Sequence, residues 1–228
     1  MHIGILGGTG PLGRGLALRL ADAGHQVVVG SRDAGRAAAV VDELLGVWPT
    51  RQLQISGQAN EETAEAEVVV MATPWEGADA TVSALAPRLA GKVVVSVANA
   101  LIKVGREMHP LVPPRGSVAA AVQAAAPGAL VAAAGHHLPA SGLAALDRTL
   151  QADVLVCSDH PEATATTMEL FAGVAGLRPL DAGSLASAAA VEAFTAVLIT
   201  INMRYRAHST LRLGGLPAAQ SAAPGAGR

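Results

Sequence analysis

Aromatic side chains are nearly missing from this 228-residue sequence: Trp48, Trp75, Phe171, Phe194 and Tyr205 make up 2% of it. The core must therefore be packed from small apolar residues, and 49 alanines, with many Val and Leu, supply them. Cysteine is reduced to Cys157, which excludes a disulfide scaffold and a Cys/His zinc site. No H-E-x-x-H or comparable ligand spacing occurs, so no metal site is expected. Charge is sparse as well, 15% against a usual ~25%. Low charge with 51% hydrophobic residues excludes disorder, and a net charge of -2 gives no global attraction to nucleic acid. A basic segment leading into a separate apolar one, as in a signal peptide, is missing at the N-terminus. The most apolar stretch, 186–203, is long enough to cross a bilayer. It carries Glu192, Thr195, Thr200 and Asn202 and reads as a buried or dimer helix. The expectation is a cytoplasmic protein with neither membrane nor nucleic-acid partner.

What is present is alternation. Strand-length apolar runs fall at 2–6, 26–31, 53–56, 67–72, 92–97, 130–134, 153–157 and 177–181. Several are continuous, such as Val27-Val28-Val29 and Val68-Val69-Val70, which is how strands buried on both faces read. Helical stretches lie between them at 12–23, 34–45, 61–66, 77–89, 117–125, 161–174 and 185–212. The pattern predicts an α/β fold: a doubly wound (Rossmann), mostly parallel sheet with a smaller C-terminal helical element. Residues 1–150 are expected to form the nucleotide-binding domain and 151–214 a smaller C-terminal part. Residues 215–228, rich in Ala, Gly, Pro and Ser, are expected to form a flexible tail.

Directly after the first strand comes Gly7-Gly8-Thr9-Gly10-Pro11-Leu12-Gly13, which contains G-x-G-x-x-G as Gly8, Gly10 and Gly13. Strand before and helix after are the context a dinucleotide fingerprint requires. The first glycine allows the tight turn, the second the approach of a pyrophosphate, and the third close packing of helix on strand. The helix N-terminus adds a partial positive charge beneath the phosphates. NAD-binding versions place an acid at the tip of the second strand for the ribose hydroxyl. Here the tip reads Ser31-Arg32-Asp33, with Arg36 one helical turn on. Two guanidiniums suit a 2′-phosphate, so the cofactor read is NADP; Asp33 is either a ribose ligand or the N-cap of the next helix, and the cap is favoured.

In an open α/β sheet the ligand lies beyond the carboxyl ends of the strands. Thr73-Pro74-Trp75 and Ser96-Val97-Ala98-Asn99 end two strands there, and Trp75 is either a core residue or a wall of the crevice. His136-His137-Leu138 ends another. That pair is open to acid/base work, to contact with a flat acceptor, or to a plain surface turn. Arg204, Arg206 and Arg212 form a basic C-terminal stretch, suited either to an anionic tail of a second substrate or to the helix dipole.

Taken together, these residues resemble the NADPH-dependent reductases of coenzyme F420, the F420H2:NADP+ oxidoreductases. The resemblance spans roughly residues 1–214. It rests on Ile3-Gly4-Ile5-Leu6-Gly7-Gly8-Thr9-Gly10, Gly30-Ser31-Arg32, Thr73-Pro74-Trp75, His136-His137, Gly176-Leu177-Arg178-Pro179-Leu180-Asp181-Ala182-Gly183 and Ile201-Asn202-Met203-Arg204-Tyr205. It implies hydride transfer between NADP(H) and the deazaflavin coenzyme F420 as small-molecule substrate, in a homodimer whose C-terminal part lies near the deazaflavin. By the same resemblance Gly8, Thr9, Gly10, Pro11, Leu12 and Gly13 hold the pyrophosphate, and Ser31, Arg32 and Arg36 the 2′-phosphate. Thr73, Pro74 and Trp75 border the nicotinamide ribose, and His136 and Leu138 pack near the deazaflavin. No catalytic acid or base is implied, because both reactive groups belong to the cofactors. The alternative is an NADPH-dependent reductase of another small acceptor (imine, carbonyl or ferric iron) on the same fold. Segment 98–114 differs from the family's usual sequence beside the expected acceptor site.

Overall fold

A computed structural model of the chain describes residues 1–216. Strand β1 (His2–Leu6) leads through the glycine turn into α1 (Pro11–Asp22), then β2 (Gln26–Ser31), α2 (Ala34–Val47), β3 (Ile55–Ala59) and the single turn α3 (Asn60–Thr63). The second half-turn of the fold runs β4 (Val68–Met71), α4 (Ala78–Leu89), β5 (Val93–Ser96), the hairpin β6 (Leu101–Val104) and β7 (Glu107–Pro110), α5 (Val118–Ala125) and β8 (Leu130–Ala133). Then follow α6 (Ala140–Ala144), β9 (Ala152–Ser158), α7 (Pro161–Ala172), β10 (Leu177–Asp181) and α8 (Ala188–Tyr205).

Eight strands form one sheet in the order β10-β9-β8-β5-β4-β1-β2-β3. All neighbours are parallel except β8 and β9. The order reverses between β1 and β4, which opens a crevice above their carboxyl ends. Valine runs explain the layers. Along β4 and β5, Val68, Val70, Val93 and Val95 face the core beneath α1, α2 and α7, while Val69, Met71 and Val94 face the one beneath α4, α5 and α8. Both faces are sealed, so the strands need no polar side, and each fully buried Val or Leu contributes roughly 1.5–3 kcal/mol.

The structure departs from the sequence reading at particular places. β3 lies two to three residues later than expected. The hairpin β6–β7 and α6 were not foreseen. Helix α8 stops at Tyr205 rather than continuing to 212, because Arg206 takes the left-handed conformation at φ 51°. The Asn202 carboxamide oxygen then accepts from both the Ser209 backbone N–H and its hydroxyl, at 2.7 Å each. The chain turns back to the start of β9, where Asp153 donates its N–H to Leu211 and accepts that of Leu213. Strands β9 and β10 extend the same sheet as β1–β5 and β8. Of the segment expected to be a flexible tail, 217–228 lies outside the described residues.

Candidate functional site: a dinucleotide cleft

A cleft of about 760 Å³ lies over the strand-order reversal, within the range typical of cofactor sites. Its middle is the glycine turn. Gly7 sits at φ +69°, and a Cβ there would come within 2.8 Å of Thr73. Gly8 donates its N–H to the carbonyls of Ile5 and Gly30, tying the turn to both flanking strands. A Cβ on Gly13 would lie 2.6 Å from Gly8 Cα, so only glycine lets α1 start this close to β1. Thr9, Gly10, Pro11 and Leu12 line the cleft, while Gly8 and Gly13 support it from behind. Helix α1 has Pro11 at its first turn, no side-chain cap and no acid in that turn. Its N-terminal N–H groups and positive dipole end are therefore left for an anion.

One end of the cleft is the β2 tip, with Ser31, Arg32 and Arg36 in its wall. Asp33 borders the cleft as well, but its Oδ1 accepts the N–H of Gly35 at 2.8 Å and of Arg36 at 3.3 Å, capping α2. The acid at this tip is thus a cap, and two exposed guanidiniums remain to meet a ligand. At the other end stand Thr73, Pro74 and Trp75 after β4 and Val97, Ala98 and Asn99 after β5, with Leu101 beyond. Trp75 is therefore a wall residue that also packs on the core. Ser96 is fully buried beneath the floor. The residues present fit NADP(H): donors and guanidiniums for its phosphates, and apolar Val97, Ala98 and Leu101 for a flat ring.

His136 and His137 are not on a surface turn. They are buried, at 3% and 4% exposure, as is Leu138, and none of the three reaches the cleft wall. The His136 carbonyl accepts from Asn99 Nδ2 at 3.0 Å, so this loop acts on the cleft through Asn99. Burial, with a smaller push from His137, drives the His136 imidazole down to about 3. Burial thus disfavours the imidazolium form, so His136 is not placed to serve as a cationic general acid. Glu192 lies 4.0 Å away, pushed up by burial but held by the N–H groups of Val118 and Ala119 at the start of α5. Arg178 and Arg212 pair with the buried Asp153, whose carboxyl they hold well below the usual carboxylate range, Arg178 most strongly. Arg204 pairs with Glu107. Arg204 and Arg212 of the basic C-terminal stretch are thus engaged by carboxylates of the chain, whereas Arg206 stands in no ion pair among the described residues.

Asn60 and Leu101 line the cleft and were missed in the sequence. Asn60 follows the tip of β3, and placing that strand early hid it. The model of the family described as NADP oxidoreductase, coenzyme F420-dependent, matches residues 2–100. The F420-dependent NADP reductase of Methanothermobacter marburgensis is 34% identical over 95% of this chain and 100% of its own length. The chain belongs to the F420-dependent NADP reductase family. A solved structure from Arthrobacter sp. FB24 shares the fold at 29% identity, with a TM-score of 0.71 over 89% of this chain and 92% of that one. The metalloreductase STEAP3 of Rattus norvegicus is 37% identical over 84% of this chain, but the match covers only 36% of that longer protein. Family membership thus meets a cleft whose two ends differ in chemistry as the two ends of NADP(H) do.

Proposed function

We infer that this protein transfers a hydride between NADP(H) and coenzyme F420. The observation that carries the reading is the family match over nearly the whole chain, joined to a cleft with guanidiniums at one end and an apolar ring platform at the other. The bound cofactors supply the chemistry, a hydride passing between nicotinamide C4 and deazaflavin C5. The protein's work is alignment and exclusion of water. Thr9, Gly10, Pro11 and Leu12, backed by Gly8 and Gly13, hold the pyrophosphate at the α1 N-terminus. Ser31, Arg32 and Arg36 hold the 2′-phosphate. Thr73, Pro74 and Trp75 shape the nicotinamide end, and His136 and Leu138 support the acceptor side from behind Asn99. Residues 1–150 carry the NADP site. Residues 151–214 contribute to the deazaflavin site and to a homodimer, and the enzyme works in the cytoplasm. Mixing purified protein with NADPH and oxidised F420 bleaches the deazaflavin absorbance; no change across a range of pH sinks the reading. The likeness to a metalloreductase favours a second reading, a ferric acceptor. Turnover with ferric chelates and none with F420 selects it.

A further inference from the structure

Asn60 stands at the start of α3, beyond the tip of β3, and is only 6% exposed. Its carboxamide reaches across β2 toward β1. A Cβ on Gly30 would lie 2.8 Å from Asn60 Oδ1, so the β2 tip leaves room for this side chain only because residue 30 has none. Oδ1 accepts the N–H of Gly7, the first residue of the glycine turn, at 3.4 Å. In this arrangement the amide oxygen faces the glycine turn. With its oxygen committed, the group's remaining capacity is as a donor through Nδ2. Nδ2 has no protein acceptor among the described residues, and it is not among the polar atoms shut off from solvent. The side chain lines the cleft between the glycine turn and the Arg32 tip.

Most neighbours along this wall are donors as well: the N-terminal N–H groups of α1, the Ser31 hydroxyl, and the guanidiniums of Arg32 and Arg36, with Asp33, whose Oδ1 caps α2, as the one carboxylate among them. A wall of donors selects a ligand rich in acceptor oxygens. We propose that Asn60 is a phosphate-binding residue, whose Nδ2 donates to a phosphate oxygen of the dinucleotide while its Oδ1 braces the glycine turn. The phosphate is either the pyrophosphate, on one side of Asn60, or the 2′-phosphate, on the other. The proposal rests on the reading that the cleft takes NADP(H).

Two substitutions separate this role from simple bracing. Asn60→Asp keeps the size and an oxygen for the Gly7 N–H, but turns the donor into a negative acceptor facing phosphate. Asn60→Ala removes brace and donor together. Calorimetric titration with NADP+, without deazaflavin, is expected to show Asn60→Asp at least about tenfold weaker than wild type, the scale of one charge-assisted hydrogen bond, and weaker than Asn60→Ala. A bracing role alone gives the reverse order, and that order, or unchanged affinity in Asn60→Asp, overturns the proposal. NAD+ identifies the phosphate: a parallel loss marks the pyrophosphate, a loss confined to NADP+ the 2′-phosphate. If the buried carboxylate prevents folding, Asn60→Ala is compared for NADP+ and for adenosine. Loss with NADP+ alone supports the proposal, and equal losses overturn it. Failure of the wild type to bind NADP+ would instead overturn the cofactor reading.

Discussion

Arg32 and Asp33 are adjacent, yet they face different tasks. Both line the cleft, but Asp33 Oδ1 accepts two backbone N–H groups of α2, whereas the Arg32 guanidinium has no protein partner among the described residues. An acid spent on capping no longer competes for the ribose, and the tip becomes positive. Replacing Arg32 with Asp is therefore expected to weaken NADPH by at least about tenfold while leaving NADH within about twofold, since a hydrogen bond to a charged group contributes roughly 1.5–3 kcal/mol. Fluorescence titration with both nucleotides checks this, and equal losses would refute a 2′-phosphate role. The cap was favoured beforehand because Asp33 directly precedes the helix, but the same acid could also have read as a ribose ligand, and the hydrogen bonds to Gly35 and Arg36 decide it. His136 was not legible in the same way. A pair of histidines at a strand end reads alike whether it faces solvent or core, and burial alone decides that its imidazole is neutral.

At the scale of elements, the valine runs declared the parallel strands because two sealed faces leave no place for polar side chains. Leu101–Val104 and Glu107–Pro110 escaped notice for the opposite reason: Lys103, Glu107 and His109 break any apolar run, and the hairpin pairs only with itself. The antiparallel turn into β9 also leaves no local mark. The connection from β8 to β9 carries only the five-residue helix α6, held by a long-range device. Arg19 of α1, 5% exposed, donates to the carbonyls of Gly142, Leu143, Ala145 and Arg148 at 2.6–2.9 Å. Gly15 lets the two helices touch, since a Cβ there would lie 2.7 Å from that of Leu143. Arg19→Met keeps the stem but strips these carbonyls of their donor. The expected cost is about 3 kcal/mol, taking buried unpaired groups at roughly 1–3 kcal/mol each with some relaxation. That corresponds to a fall of about 6–12 °C in Tm at this chain length. A thermal midpoint within about 2 °C of wild type would show that the guanidinium does not hold α6 in place.

For the whole molecule, the telling feature is where the apolar surface lies. Among the described residues, every large hydrophobic side chain counted as exposed, except Val47, falls on the hairpin segment 102–112, on α8 or on 213–216. On α8 these are Phe194, Val197, Ile201 and Tyr205, spaced three and four apart along one face. The opposite face is committed to the core through Ala188, Val191, Thr195 and Leu198, and through Glu192 bound to the start of α5. Leu185–Tyr205 is long and apolar enough to cross a membrane by length and composition. A bilayer, however, would have to strip a buried carboxylate from its two backbone donors. An apolar helix face rimmed by a hairpin suits a second copy of the same surface, related by a two-fold axis. The homodimer proposed above is accordingly expected to place α8 against its counterpart. Light scattering at micromolar concentration should return twice the 22.8 kDa chain mass. Val197→Glu with Ile201→Glu, both on the outer face, should halve that mass while NADP+ affinity stays within about twofold, because neither side chain lines the cleft. A wild-type monomer, or a dimer indifferent to the two glutamates, would assign this face to some other contact.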